Sequence, residues 1–131
     1  MALFDPADAR ALTERERSTL HAAITQGSSI GYHGRPGPEI TPAMRRGWLS
    51  RLDVLQAVSN CACGCASVSL LPSDATAGVP GEDRDLDAMS GSVHLHVRIV
   101  DGVPFWIEVT ENDAKPALPE LPPVDEWTWL R

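Results

Sequence analysis

The amino-acid sequence predicts an α+β fold, in which a small antiparallel sheet of about four strands packs against one or two N-terminal helices. Three observations lead to this prediction: a length of 131 residues, helix signals confined to the first part of the chain, and alternating apolar residues on both sides of position 101. A chain of this length usually forms one domain. We therefore expect a single domain over 1–131, with a meander built around a central hairpin from Val93 to Val109.

Two helices are predicted in the N-terminal part of the chain. Thr13 and Glu16 have the spacing of a capping box, and apolar residues at helical spacing follow as far as Gly27. This pattern predicts a helix over residues 14–26. Thr41-Pro42 is typical of a second helix start, because proline fits the first helical position.

The hairpin has the clearest pattern in the sequence. Apolar and polar residues alternate on both sides of Asp101-Gly102, a dipeptide typical of hairpin turns. A three-residue loop with Gly102 in the left-handed conformation pairs Val97 with Phe105. Because a slip of one residue would invert one strand, this loop is the one that keeps the apolar side chains on a single face.

The same register gathers polar side chains on the opposite face of the hairpin. It predicts that His94 lies opposite Glu108 and that His96 lies opposite Trp106. We expect this face to be a contact surface, and its members are His94, His96, Arg98, Trp106 and Glu108.

The remaining segments are predicted from composition and alternation. Residues 52–58 and 68–70 are interpreted as two strands, and residues 72–91 as an acidic flexible loop. Residues 114–131 are rich in proline and predict an extended tail. Trp127 and Trp129 lie on one side of that tail, so we expect them to dock on the sheet or on a partner.

The charge of the chain is unevenly distributed. The net charge is −7, and it divides into about +2 up to Leu52 and about −9 from Asp53 onward. An acidic surface argues against nucleic acid, because phosphate contacts need Lys and Arg. A protein partner is expected instead, and both a cationic protein and a second copy of the chain are compatible with the pattern.

Location is predicted from two further features. No apolar run is long enough for a transmembrane helix, and residues 1–17 lack the pattern of a signal peptide. Three cysteines two positions apart are poorly spaced for disulfides, which favours reduced thiols. We therefore expect a cytoplasmic protein that does not bind membranes.

Cys61, Cys63 and Cys65 are candidate metal ligands, because alternate thiolates around a glycine turn suit Zn²⁺ or Cu(I). His94 or His96 could supply a fourth ligand. Zinc sites usually draw paired cysteines from two separate segments, and a second pair is missing here. A structural turn without a cofactor is therefore the favoured interpretation, with zinc as the alternative.

His94 and Glu108 could also form an acid–base couple of a small enzyme. A solvated pair across two strands explains the same residues, and no nucleophile is placed beside them by the sequence. No catalytic residue is therefore assigned, and an enzyme is the third hypothesis.

A Cys-x-Cys-Gly-Cys-x-Ser-Val segment, an acidic loop and a hairpin follow one another between Trp48 and Glu108. The matching positions are Cys61, Cys63, Gly64, Cys65, Ser67, Val68, Leu95, Val97, Gly102 and Glu108. With this order of motifs the chain resembles a group of small bacterial proteins, common in actinobacteria, whose activity is unknown. The chain departs from that pattern at Ala66, where the group usually has proline, and at Gly102, which is shifted by one or two positions.

The resemblance covers about half of the chain and implies no activity. Size and acidic charge are similar to those of toxin-immunity proteins, which is an analogy only. The favoured prediction is a non-enzymatic protein-interaction module of immunity or inhibitor type. Its contact residues are expected on the polar side of the hairpin and at Trp127 and Trp129. A metal-thiolate domain centred on Cys61, Cys63 and Cys65 is the second prediction.

Overall fold

A computed structural model describes residues 6–31, 33, 35–59, 65–74, 78–111 and 119–131. Two helices, α1 (Glu14–Gln26) and α2 (Pro42–Ser50), pack against one face of an antiparallel sheet. The described strands are β1 (Arg10–Ala11), β2 (Leu55–Ser59), β3 (Val68–Pro72), β4 (Arg84–Ser90), β5 (Val93–Val100), β6 (Val103–Glu111) and β7 (Thr128–Trp129). Their order across the sheet is β1-β2-β3-β6-β5-β4-β7. The α+β class is confirmed, and the sheet is larger than the four strands expected.

Both helices begin at the predicted caps. The Thr13 hydroxyl accepts a hydrogen bond from the Glu16 backbone amide at 3.1 Å, and the Glu16 carboxylate accepts one from the Thr13 amide at 2.8 Å. These reciprocal bonds satisfy amides that the helix itself leaves unpaired. Thr41 caps α2 in the same way through the Met44 amide, and Pro42 occupies the first turn. The predicted bounds of α1 and the predicted start of α2 are confirmed.

The core lies between the helices and the sheet. Leu20, Ile24 and Trp48 are fully buried and pack with the inward-facing side chains of the sheet, among them Leu86 and Leu95. The alternation of buried and partly exposed residues along β4 and β5 shows which face these strands turn inward. The other face of the sheet is therefore the one without helices among the residues that the structure describes.

The hairpin is present, but its predicted register is wrong. β5 and β6 are joined by a two-residue turn in which Asp101 (φ 50°) and Gly102 (φ 74°) are both left-handed, as a type I′ turn requires. The pairing shifts between Arg98 and Ile99, and Phe105 is the extra residue on the opposite strand. This β-bulge, rather than a three-residue loop, keeps the apolar side chains on one face.

The acidic segment 72–91 is largely ordered, contrary to the prediction of a flexible loop. Its second half forms β4, which pairs with β5 along its whole length. The part that precedes β4 is hydrogen-bonded to the hairpin turn. The Val79 amide donates to the Asp101 carbonyl at 2.6 Å, and the Gly81 amide donates to the Asp101 carboxylate at 2.9 Å. Residues 75–77 lie outside the described residues.

The proline-rich tail packs on the domain. Leu121, Trp127 and Trp129 are buried in the core, and β7 pairs with the outer side of β4. The sequence predicts an extended tail. In the structure, residues 119–131 lie against the domain and insert Trp127 and Trp129 into its core. Residues 114–118 lie outside the described residues. Because β1 is the strand at the other edge, each edge of the sheet ends in a strand of two residues.

Candidate functional site

The sheet face without helices carries a cluster of charged and aromatic side chains, which we name the polar face. Three adjacent strands, β4, β5 and β6, contribute to it, and each side chain is partly exposed. Its members are Asp85, Asp87, His94, His96, Arg98, Trp106 and Glu108. The alternation within the hairpin predicts five of these side chains, but the two aspartates are absent from the prediction.

Contacts between β4 and β5, some diagonal and some between directly paired residues, link the charged groups into a network. His94 Nε2 lies 2.8 Å from Asp87 Oδ2, and His96 Nε2 lies 2.7 Å from Asp85 Oδ1. Arg98 Nη1 donates to the same oxygen of Asp85 at 2.8 Å. His96 Nε2 is also 4.0 Å from Asp87 Oδ1, so this imidazole lies between the two carboxylates.

Asp85 is held in its ionised form. Burial raises the pKa of Asp85, but hydrogen bonds from His96 and Arg98, together with the charge of Arg98, outweigh burial, so the pKa lies below its ordinary value. An ionised carboxylate can only accept hydrogen bonds. We infer that Nε2 of His96 carries a hydrogen and that Nδ1 is the ring nitrogen left for other contacts.

Acceptor atoms on the polar face exceed the donors that reach them. Among the residues that the structure describes, no donor bonds to the buried Oδ1 of Asp87. No hydrogen bond or ion pair joins Glu108 to any other described residue, although Glu108 is only partly exposed. The imidazole and guanidinium donors of His94, His96 and Arg98 are already directed at the two aspartates.

Aromatic rings border the charged network. The Trp106 ring meets the His96 ring edge-on, with centroids 5.7 Å apart, and it contacts the ring of Phe105 at 5.4 Å. Phe105 is the bulge residue and is 46% exposed, which is unusual for a phenylalanine. The Trp106 indole N–H is buried without an acceptor among the described residues.

The predicted pairing of His94 with Glu108, on which the acid–base hypothesis depends, is wrong. The structure places Thr110 opposite His94, and it places Glu108 opposite His96. The two-residue turn shifts the register by one position from the prediction and the bulge shifts it by one more, so the pairing on the polar face differs by two positions. Trp106 likewise lies opposite Arg98 instead of His96, although the His96 and Trp106 rings are still diagonal neighbours.

Of the candidate metal ligands, the structure describes Cys65, His94 and His96, and it does not bring Cys65 together with the two histidines. Cys61 and Cys63 lie outside the described residues. Cys65 lines a groove of about 940 Å³ beside α1, on the helix side of the sheet, whereas His94 and His96 lie on the polar face. The described ranges contain no group of three or more His, Cys, Asp or Glu side chains arranged to hold a metal ion.

Trp127 and Trp129 cannot serve as the contact residues that the sequence suggests. Their exposed fractions are 6% and 8%, and both belong to the core of this chain. The first of the two alternatives for the tail, docking on its own sheet, is the one observed. The physical reason is that β7 pairs with β4 and turns Trp129 toward the helices beside Ala88.

A signal for the two missed aspartates is present in the sequence. Asp85 and Asp87 alternate with Leu86 and Ala88, which is the period of a strand with one buried face. The high acidity of the surrounding segment favours a loop and conceals this short alternation. The pairing of β4 with β5 is then what brings the aspartates next to the histidines.

Comparison with known proteins adds no assignment, since no protein-family model, no curated protein and no solved structure matches this chain. Among the described residues, no helix has the length and apolar character needed to cross a membrane.

Proposed function

We propose that this chain is a non-enzymatic protein-binding module, of the kind that immunity and inhibitor proteins represent, and that the polar face is its contact surface. The observation that carries the proposal is the position of Trp106, Phe105 and Arg98 beside an ordered charged network on the sheet face without helices. Tryptophan and arginine are the side chains most enriched among residues that dominate binding energy at protein interfaces.

The order of the network also supports binding. Asp85, Asp87, His94, His96 and Arg98 hold one another by hydrogen bonds before any partner arrives. Side chains that are already fixed lose little conformational freedom on association, so more of the contact energy remains for affinity. A face of mobile lysines and glutamates would lack this advantage.

The two edges of the sheet favour the same surface. A partner can bind a sheet by adding a strand to an exposed edge, but short edge strands offer few free backbone groups. Here both edges end in strands of two residues, β1 and β7. The described helices cover one face, so the polar face is the side of the sheet that the described residues leave for a partner.

Site-specific photocrosslinking tests the proposal. Thr110 is exposed at the border of the polar face, and Arg46 is exposed on α2. We expect a chain with p-benzoylphenylalanine in place of Thr110 to give one discrete adduct in the cells that produce the protein. Unlabelled wild-type chain should compete for this adduct, and a Trp106→Ala chain should compete less well.

The matched control carries the same crosslinker at Arg46. Adducts of equal pattern at the two positions, or no discrete adduct at position 110, would contradict a contact surface on the polar face. If the module is of inhibitor type, the captured partner should be an enzyme or toxin whose activity falls when the purified chain is added.

The metal-thiolate function stays a separate prediction, and Cys65 is the one of its three cysteines that the structure describes. His94 and His96 are on the other side of the sheet, so the cysteines would have to bind the ion without them. Native mass spectrometry of protein purified without chelator tests this prediction. A mass that contains zinc or copper and loses it with EDTA supports the function, and a mass free of metal contradicts it.

A further inference from the structure

We propose that the polar face binds arginine side chains of a cationic protein segment. This inference rests on the proposed function and specifies the chemistry of the partner. It follows from three properties of the described residues: an excess of hydrogen-bond acceptors, a negative charge, and aromatic rings beside the carboxylates.

The excess of acceptors requires a partner that brings donors. Glu108 has no partner within the described residues, and Asp87 Oδ1 is buried without a donor. Asp87 Oδ1 is closed off from an arriving ligand, but the partly exposed Glu108 carboxylate can accept hydrogen bonds from a ligand that supplies donors. Guanidinium carries five N–H donors and no acceptor, which matches this imbalance.

The charge of the face has the matching sign. Asp85, Asp87 and Glu108 oppose the single guanidinium of Arg98, so the face carries −2 when the imidazoles are neutral. Negative groups elsewhere in the C-terminal half extend the field that a cationic segment would meet. An acidic partner or a phosphate backbone would be repelled by the same groups.

The aromatic rings favour arginine over lysine. Trp106 precedes Glu108 by two residues on β6, and its ring contacts the ring of the exposed Phe105, so one cationic side chain could stack on a ring and bond to Glu108. The planar guanidinium stacks on aromatic faces and pairs with carboxylates through two bonds, whereas ammonium is a strongly hydrated point charge. A preference for arginine at equal charge is therefore the distinguishing prediction.

The test uses the full chain and three peptide probes of equal length: one rich in arginine, one in lysine and one in glutamate. We expect the arginine peptide to bind tightest in isothermal titration calorimetry, the lysine peptide to bind at least about threefold more weakly, and the glutamate peptide not to bind. Affinity for the arginine peptide should fall as salt is added, because partly exposed charges are screened.

Two matched variants connect the binding to the polar face. Glu108→Gln removes one negative charge without breaking a bond to another described residue, and Glu126→Gln removes one from the exposed turn before β7. We expect Glu108→Gln to weaken binding of the arginine peptide by about three- to tenfold, and Glu126→Gln by less than about twofold. Trp106→Leu should reduce the ratio between the arginine and lysine peptides. Circular dichroism checks that each variant is folded.

Equal losses in the Glu108→Gln and Glu126→Gln variants would overturn the proposal, since binding would then reflect net charge alone. Equal affinities of the wild-type chain for the arginine and lysine peptides would overturn the assignment of guanidinium. If the crosslinked partner at position 110 contacts the face through an acidic or apolar segment, the protein-binding function survives and this inference fails.

Discussion

Arginine side chains in this protein serve mainly as internal donors. Arg10 binds the Glu16 carboxylate, and three others donate to backbone carbonyl oxygens of distant residues. These three are Arg15, Arg45 and Arg84. A count of charges along the sequence gives the N-terminal part a small positive excess. In the N-terminal part, Arg10, Arg15 and Arg45 already donate to acceptors of this chain, so fewer of their N–H groups are left for a ligand than the count suggests.

Glu16 gives a prediction about pH at the scale of one residue. Burial raises the pKa of Glu16. Hydrogen bonds from Arg10 and Thr13, together with the charge of Arg10, lower this pKa by more than burial raises it, so it lies below its ordinary value. A carboxyl whose pKa is lowered by folding stabilises the protein above its unfolded pKa, and this stability is lost as the pH falls through the folded pKa. We expect Glu16→Gln to lower the free energy of unfolding by about 1–3 kcal/mol at neutral pH.

The difference between wild type and Glu16→Gln should shrink as the pH is lowered below about 4, near the ordinary pKa of glutamate. Urea unfolding at several pH values measures it. Glu14→Gln is the control, because Glu14 lies two residues before Glu16 and is exposed, and it should change stability little at any pH. A difference that stays constant from neutral to acid pH would contradict the role assigned to the Glu16 carboxylate.

At the scale of secondary-structure elements, the sequence predicts what depends on neighbours along the chain. The caps of α1 and α2 lie within a few residues of the helices they begin, and both were predictable. The position of the hairpin turn at Asp101-Gly102 was predictable for the same reason, but its length was not. The bulge between Arg98 and Ile99 was not predictable. A three-residue turn without a bulge and a two-residue turn with one extra strand residue both keep the apolar side chains on one face.

Alanine substitutions at two glycines, Gly102 and Gly47, are expected to change the stability of the protein in opposite directions. Gly102 has φ 74°, and a Cβ there would meet Val79 N at 3.1 Å, so Gly102→Ala should cost about 1–2 kcal/mol of stability. Gly47 lies within α2, and a Cβ there would have no heavy atom within 4 Å. Gly47→Ala should therefore stabilise the protein by about 0.5–1 kcal/mol.

Denaturant unfolding of both glycine variants under identical conditions measures the two effects. Changes of the same sign would show that the turn or the helix is described wrongly. The comparison is informative because each variant adds the same methyl group and differs only in the backbone that receives it.

At the scale of the whole molecule, the candidate site was predictable only in part. Alternation within one hairpin predicted five side chains of the polar face, since they belong to consecutive strands. Their aspartate partners come from β4, and only the pairing of β4 with β5 brings them within hydrogen-bond distance. The burial of Trp127 and Trp129 likewise depends on where a distant part of the chain docks, which no local pattern contains.

The docked tail predicts a large effect from a residue near the C-terminal end. Trp129 is buried in the core, and its neighbour Leu130 is 36% exposed. We expect Trp129→Ala to destabilise the protein by about 3–5 kcal/mol, because it removes a large buried side chain. Leu130→Ala is the matched control and should cost less than about 1 kcal/mol. Thermal and urea unfolding measure both, and similar losses in the two variants would contradict docking of the tail.

The position of β1 and β7 at opposite edges has a mechanical consequence. With strands about 4.8 Å apart, seven of them separate the two edges by roughly 29 Å. A force applied between β1 and β7 acts across the strands and opens the hydrogen bonds of each edge one after another. Each edge strand has only two residues. We therefore expect these edges to peel at low force in an optical trap, before the paired centre of the sheet yields.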